Sequence, residues 1–149
     1  MKKFFVILLA SIASGVFAQD AAVIIQTDQV QQALARGAII WDVRDEKSYL
    51  EGHIPGAINI GDAGAVLRDP NKEDYISTEQ IEKIFNAAGL DVNQEVVVYG
   101  SRGNPYSYFG LYTVKYFGGK KAQVYHDGID GWKQAGLPIQ KERSNEISL

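Results

Sequence analysis

The stretch Glu95-Val-Val-Val-Tyr-Gly100-Ser-Arg-Gly-Asn-Pro105-Tyr decides the fold of this chain. Its run of β-branched and aromatic residues at 96–99 has no polar interruption, which predicts a strand buried on both faces. Glycines then break the strand, and Pro105 stands where a helix would begin. A buried strand, a glycine-containing loop and a helix N-terminus can together present backbone N–H groups to an anion. We therefore expect the functional site at this loop, at the carboxyl end of the strand.

The composition indicates one globular domain and excludes several classes of function. At 149 residues, with 46% hydrophobic and 22% charged residues, the chain is long enough for a single full core. The net charge is −3 and no basic cluster occurs beyond the extreme N-terminus, which disfavours nucleic-acid binding. Because the chain contains no cysteine, disulfides, thiolate metal sites and a cysteine nucleophile are excluded.

Residues 1–18 are predicted to be a secretory signal peptide. Met1-Lys-Lys supplies the positive start, Phe4 to Ile12 the apolar core, and Val16-Phe-Ala18 the small residues of a cleavage site. A membrane span, the alternative, needs about 20 apolar residues, and this run is shorter. We therefore expect cleavage after Ala18, a periplasmic location and no stable membrane anchor. The loss of two lysines leaves 13 of the 15 basic residues against 18 acidic ones, a mature charge of −5.

The rest of the chain alternates between strand-like and helix-like segments. Short apolar runs predict strands at residues 23–25, 38–41, 57–60, 96–99 and 122–125. Capping residues, helical spacing and glycine stops predict helices between them, from Thr27 to Gly37, Asp45 to Leu50, Ser77 (with Gln80 as a capping box) to Gly89, Pro105 to Tyr116 and Ile129 to Ala135. Residues 61–75 are polar and predict a surface loop with at most one helical turn. This alternation predicts the α/β class, a parallel sheet with helices on both faces.

Three motifs resemble the rhodanese homology domain. They are Trp41-Asp-Val-Arg-Asp, then Tyr49-Leu-Glu-Gly-His-Ile-Pro-Gly-Ala-Ile-Asn-Ile60, and finally Val124-Tyr-His-Asp-Gly-Ile-Asp-Gly-Trp132, and they occur in the family's order. The resemblance extends from about Val23 to Ile139. It implies a five-stranded parallel sheet flanked by helices. With cleavage after Ala18 and a polar stretch from Lys141, we expect the domain at 19–140 and a flexible tail at 141–149.

The same resemblance implies sulfur-transfer chemistry, for which this chain lacks the nucleophile. Active members of the family hold sulfur as a persulfide on a cysteine directly after the Val-Val-Tyr strand, and the matching residue here is Gly100. A register shift of one residue would place Ser101 there, but a hydroxyl cannot hold a persulfide. The Tyr-Gly start and the aromatic helix after it resemble the non-catalytic domain of tandem sulfurtransferases. We therefore predict no catalytic residue.

Other residues of the matched motifs are predicted to have structural roles. In the family, an acid at the position of Asp42 orients the neighbouring backbone, and we expect the same here. Arg44 and Glu51 are expected to pair and to hold the following Gly-His-Ile-Pro-Gly turn. His53 is expected to pack rather than to act as a base. Trp132 is expected to lie in the core.

The loop itself is the predicted anion site, formed by Gly100, Ser101, Arg102, Gly103 and Asn104. Its N–H groups are expected to converge on one point and to bind sulfate, thiosulfate or a partner's carboxylate weakly, on the order of millimolar. Arg102 either adds a positive charge there or lies in solvent. No cofactor is expected, and His126 has no neighbouring histidine that would predict a metal site.

Three functions compete at this stage. The favoured one is a non-catalytic module that binds a small sulfur oxyanion or a protein partner. The alternative is a thiosulfate sulfurtransferase-like protein acting with a partner that supplies the thiol. A dual-specificity-type phosphatase is rejected, because it needs a Cys-x5-Arg loop. Five tyrosines at 99, 106, 108, 112 and 116 are either half-buried core residues or a partner-binding face.

Overall fold

The computed structural model describes residues 22–144, so the predicted signal peptide at 1–18 and residues 145–149 lie outside the described part. The strands are β1 (Ile24–Ile25), β2 (Ile39–Asp42), β3 (Ile58–Asn59), β4 (Arg68–Asp69), β5 (Asp74–Tyr75), β6 (Val96–Tyr99) and β7 (Ala122–Tyr125). The helices are α1 (Thr27–Ala35), α2 (Glu46–Glu51), α3 (Ala63–Val66), α4 (Thr78–Ala88), α5 (Pro105–Tyr116) and α6 (Gly128–Gln134). Within this part of the chain, none of the helices combines the length and the apolarity that a membrane span requires.

Five strands form one parallel sheet in the order β1-β7-β6-β2-β3, which confirms the predicted fold class. β6 lies at its centre, and alternate side chains of this strand enter two separate cores. Val96 and Val98 contact the core under α3, α4 and α5, whereas Val97 and Tyr99 contact the core under α1, α2 and α6. A strand covered on both faces must be apolar throughout, and all four β6 residues are buried.

Local capping signals set several helix ends as predicted. Ser77 and Gln80 form the capping box of α4, and Gly89 ends this helix in the left-handed conformation at φ +74°. Asp45 caps α2 by accepting the Ser48 N–H. The start of α1 differs from the prediction, because Gln26 is its N-cap and Thr27 is the first helical residue.

The polar stretch 61–75 is more ordered than predicted. It forms the short helix α3 and then a two-residue antiparallel hairpin, in which Arg68 pairs with Tyr75 and Asp69 with Asp74. Strands this short have no apolar alternation, so their sequence gives no strand signal. The hairpin positions Tyr75, whose ring stacks on Phe109 of α5 at 5.5 Å. Ala63 and Leu67 are buried in the same core, so tertiary packing of several residues orders the stretch.

The start of the C-terminal tail also contacts the domain. Ser144 Oγ donates to the Ala57 carbonyl at 2.8 Å, and Arg143 forms an ion pair with Glu46. Both residues belong to the tail predicted at 141–149, of which residues 145–149 lie outside the described part, so its flexibility stays a prediction.

Candidate functional site

The candidate site is the loop that joins the central strand β6 to α5. Gly100 follows the last strand residue and is buried, and Asn104 is the N-cap of α5. The Asn104 side-chain oxygen accepts the Tyr106 N–H at 2.9 Å, and Pro105 occupies the first helical position. The structure therefore contains the strand–loop–helix unit that the sequence predicts.

The space beside Gly100 is already filled. A β-carbon built on Gly100 would lie 2.8 Å from Asn104 Nδ2 and 3.1 Å from Ser107 Oγ. On the other side, the Gly100 carbonyl accepts the Ile129 N–H at 2.9 Å, and a β-carbon on Gly128 would lie 2.1 Å from that carbonyl oxygen. Any larger side chain at position 100 therefore requires Asn104 to move.

The N–H groups of the loop are mostly used within the chain. Arg102 N donates to Asp130 Oδ2 at 2.8 Å, Gly103 N to the His126 carbonyl at 3.0 Å, and Asn104 N to the Ser101 carbonyl at 3.0 Å. The expectation that these groups converge on an external anion is therefore wrong for residues 102, 103 and 104. A carboxylate of this chain, from the first turn of α6, already occupies the donor at Arg102.

The Arg102 side chain does not lie over the loop either. Its Nε is 3.3 Å from Asp127 Oδ1, and its Nη2 donates to Gln134 Oε1 at 2.9 Å. Both partners belong to α6 or to its N-cap. The Arg102 side chain therefore lies along α6, and neither over the loop nor free in solvent as the sequence suggested.

The mouth of the loop is a depression of about 330 Å³ with acidic walls. Asp45 caps α2 and Asp62 caps α3, where Asp62 accepts the N–H groups of Gly64 and Ala65. Hydrogen bonds from Ser48 lower the pKa of Asp45 and keep this carboxylate ionised. The lining residues are Val43, Arg44, Asp45, Ser48, Asp62, Ser101, Asn104, Pro105 and Tyr106.

A buried ion pair lies beneath the mouth. The Asp42 carboxylate is inaccessible to solvent and accepts Arg44 Nη2 at 2.6 Å, Arg44 Nε at 2.9 Å and the Arg44 backbone N–H at 3.1 Å. Burial by itself lowers the pKa of Arg44, but hydrogen bonds to Asp42 and its charge raise it, and the net direction is upward. Arg44 is therefore a permanent cation whose charge Asp42 neutralises.

The predicted Arg44–Glu51 pair is wrong. Arg44 Nη2 holds the turn by donating to the Gly52 carbonyl at 2.8 Å, whereas the exposed Glu51 lies 4.0 Å from Lys47 on its own helix. The Arg44 guanidinium instead bonds to Asp42, which lies two residues before it at the end of β2. The turn is therefore held by Arg44 and a backbone carbonyl, without Glu51.

His53 and Trp132 lie in buried structural positions. The His53 ring stacks on Tyr49 at 3.7 Å, and its Nδ1 donates to the Tyr49 carbonyl at 2.8 Å, which fixes the proton on Nδ1. Its Nε2 has no partner among the described residues, and burial lowers the pKa of His53. Trp132 is 3% exposed and donates through Nε1 to the Pro138 carbonyl at 2.7 Å.

Comparison with known proteins identifies the family. The profile of the rhodanese-like domain matches residues 26–135. The chain belongs to the rhodanese-like domain family. A protein of Saccharopolyspora erythraea, named as a candidate thiosulfate sulfurtransferase, is 29% identical over 128 residues, covering 85% of this chain and 45% of that protein. The sulfur carrier protein TtuD of Thermus thermophilus is 32% identical over 122 residues, covering 80% of this chain and 42% of that protein. The chain therefore spans less than half the length of these curated relatives.

Solved structures repeat the rhodanese-like fold at low sequence identity. The anaerobic ergothioneine biosynthesis enzyme of Chlorobium limicola, in complex with trimethyl histidine, matches with a TM-score of 0.71 and 21% identity, over 82% of this chain and 34% of that one. The solution NMR structure of a rhodanese-like domain from Anabaena matches with a TM-score of 0.56 and 20% identity, over 85% of both chains. Likeness at these identities shows the fold alone.

The five tyrosines at 99–116 of this rhodanese-like domain differ in their exposure, and a partner-binding role for the exposed ones stays a prediction. Tyr99 is fully buried, and Tyr108 donates to or accepts from His126 Nδ1 at 2.7 Å. Tyr106, Tyr112 and Tyr116 are 40%, 65% and 73% exposed. Within residues 22–144, no group of three or more histidines and acids could hold a metal ion.

The acids around the loop are the residues of the candidate site that the sequence does not predict. Asp127 and Asp130 stand in the Val124–Trp132 motif, so the motif contained a signal for them. Asp45 was recognised only as a helix cap, and Asp62 lies in the stretch predicted as a loop. Asp45 and Asp62 both cap a helix and place a negative charge at the mouth. Capping can be predicted from neighbouring residues, whereas the position at the mouth cannot.

Proposed function

We propose that this rhodanese-like domain transfers no sulfur with its own side chains and acts as a binding module for a protein partner. The observation that supports this most directly is the filled space at Gly100, in a chain without any cysteine. Persulfide chemistry needs a thiolate both to attack sulfur and to hold it. Neither Ser101 nor the buried Ser107 hydroxyl supplies one.

Of the two partner classes that the sequence left open, the charges at the mouth favour a protein over a sulfur oxyanion. Sulfate or thiosulfate would meet the carboxylates of Asp45 and Asp62, while Arg102 is engaged on α6. The loop donors at residues 102–104 are also satisfied within the chain. A folded surface can instead use the shape of the mouth and the exposed Tyr106 beside it.

The names of the relatives support a second candidate, in which a partner supplies the thiol for sulfur transfer. The relatives are named for sulfur transfer and sulfur carriage, and each has more than half its length outside the match. In that case the domain would dock a cysteine-bearing protein at its mouth rather than react itself. The periplasmic location is likewise a proposal, supported by the signal-peptide pattern of residues 1–18.

Sulfur loading tests the first proposal directly. The purified chain is incubated with thiosulfate, or with a persulfide donor, and its intact mass is measured before and after reduction. We expect no gain of one sulfur atom and no thiosulfate:cyanide transfer above buffer. A reducible sulfur adduct on the purified chain, or turnover that disappears in a Ser101→Ala variant, would overturn the proposal.

Two matched variants test whether the filled space matters. Gly100→Cys introduces the thiol but keeps the Asn104 side chain, which crowds the new Cβ, so we expect little sulfur loading. Gly100→Cys with Asn104→Ser frees space and keeps a side chain that caps α5, so its loading should exceed that of the single variant. Equal loading of the two would show that Asn104 does not block the position.

A further inference from the structure

A depression lined by basic residues lies at the opposite end of the sheet from the loop. Glu95, Lys121 and Val23 directly precede β6, β7 and β1, so this surface is at the amino ends of the parallel strands. Its volume is about 690 Å³. The complete lining is Val23, Arg36, Glu95, Lys115, Lys120, Lys121, Ala122 and Gln123.

The charges of this basic face are concentrated and not neutralised. Arg36 and Glu95 form a two-bond ion pair, at 2.7 and 3.2 Å, and cancel each other. Lys115, Lys120 and Lys121 are exposed and form no ion pair with a described residue. Three uncompensated lysines share one depression in a chain whose net charge is −3.

Amphipathic and apolar side chains border the lysines. Tyr112 and Tyr116 lie three residues before and one after Lys115 on the outer side of α5 and are 65% and 73% exposed. Val23 and Ile24, at the edge strand, are 42% and 47% exposed. Exposed tyrosine and aliphatic residues beside lysines suit the interface of a lipid bilayer, where rings sit at the headgroups and ammonium groups meet lipid phosphates.

We propose that this basic face docks on an anionic phospholipid bilayer. A bilayer is favoured over an acidic protein because exposed tyrosine and aliphatic side chains border the lysine-lined depression. Docking there would leave the mouth of the loop, at the carboxyl ends of the strands, turned away from the lipid.

Vesicle co-sedimentation tests the proposal with the chain as it is recovered after export. Wild-type protein is mixed at about 0.1 M salt with phosphatidylglycerol/phosphatidylethanolamine vesicles or with neutral phosphatidylcholine vesicles. The test variant is Lys115→Gln, Lys120→Gln, Lys121→Gln. The control, with the same change in charge on other surfaces, is Lys47→Gln, Lys72→Gln, Lys83→Gln. Circular dichroism verifies that both variants fold.

We expect the wild type and the control to partition onto anionic vesicles, and the test variant to lose at least about tenfold, since each lysine near an anionic surface is worth about fivefold. High salt should reduce the wild-type binding in the same way. Equal binding to neutral vesicles, an equal loss in the control, or no binding of the wild type would overturn the proposal. So would binding of the basic face to poly-glutamate without any binding to vesicles.

Discussion

Removal of the Asp42 carboxylate should be the most damaging single change around the site. In Asp42→Ala the Arg44 guanidinium, only 9% exposed as a side chain, would keep its bond to the Gly52 carbonyl but lose every bond to a carboxylate. Breaking one side of a buried pair leaves an uncompensated charge and costs about 3–5 kcal/mol. A domain of this size has a free energy of unfolding of about 5–15 kcal/mol, so the loss is a large fraction of it.

Urea unfolding followed by tryptophan fluorescence measures this loss, because Trp41 and Trp132 are both buried. With a slope of about 1–3 kcal/mol per molar urea, a loss of about 3–5 kcal/mol should lower the midpoint by about 1–5 M. Glu51→Ala is the matched control and should change stability by no more than about 0.5 kcal/mol, because the exposed Glu51 carboxylate forms a surface ion pair with Lys47 at 4.0 Å.

If Asp42→Ala does not fold, two further variants test the Asp42–Arg44 ion pair. Asp42→Asn retains an acceptor for Arg44 and should cost less than the alanine variant. The double variant Asp42→Asn, Arg44→Met removes both charges and should recover part of the stability. A loss below about 1 kcal/mol in Asp42→Ala, or an equal loss in Glu51→Ala, would refute the assignment of the buried pair.

Three other predictions concern stability and the loop. Burial lowers the folded-state pKa of His53 below its ordinary value of 6.5, so the unfolded chain binds the proton more readily than the folded one. The free energy of unfolding should therefore be highest above about pH 6.5 and fall towards pH 5. In urea titrations, His53→Gln should reduce this dependence on pH. Gly128→Ala, at φ +53° and against the Gly100 carbonyl, should lower the melting temperature far more than Gly89→Ala at φ +74° in open space, and equal shifts would contradict the contact. In NMR titrations with sulfate, the Gly103 amide should stay still to at least about 10 mM, because its N–H is already bonded; a saturating shift at about 1 mM would restore the anion site.

Periodicity and capping were enough to predict the α/β class and most element positions. The unbroken apolar run at 96–99 predicted a strand covered on both faces. The Ser77–Gln80 capping box and Gly89 set the ends of α4 through hydrogen bonds and backbone conformation within a few residues. The hairpin at 68–75 could not be predicted, because its strands are held by Tyr75 packing on a helix more than thirty residues away.

The position of the loop between strand and helix was also predictable, but the charges and hydrogen bonds around it were not. The buried strand, the glycines after it and Pro105 determine where the loop begins and ends, because each residue restricts the backbone conformation at its own position. The acceptor for each N–H group of the loop depends on which residues the sheet brings close. The Arg102 N–H, for example, donates to Asp130, which is 28 positions away in sequence. Arg44 likewise meets Asp42 rather than Glu51 because the strand end is nearer than the exposed helix face.

The sequence by itself therefore determined the parallel sheet, the place of the loop and the absence of a thiol, since these follow from local backbone preferences and from composition. Only the tertiary structure decided that Asn104 fills the space beside Gly100, that α6 takes up the charge of Arg102, and that three lysines share one face at the far end of the sheet. Hydrogen bonds and charges act over a few ångströms, and distances of that size between residues far apart in sequence are set by folding alone.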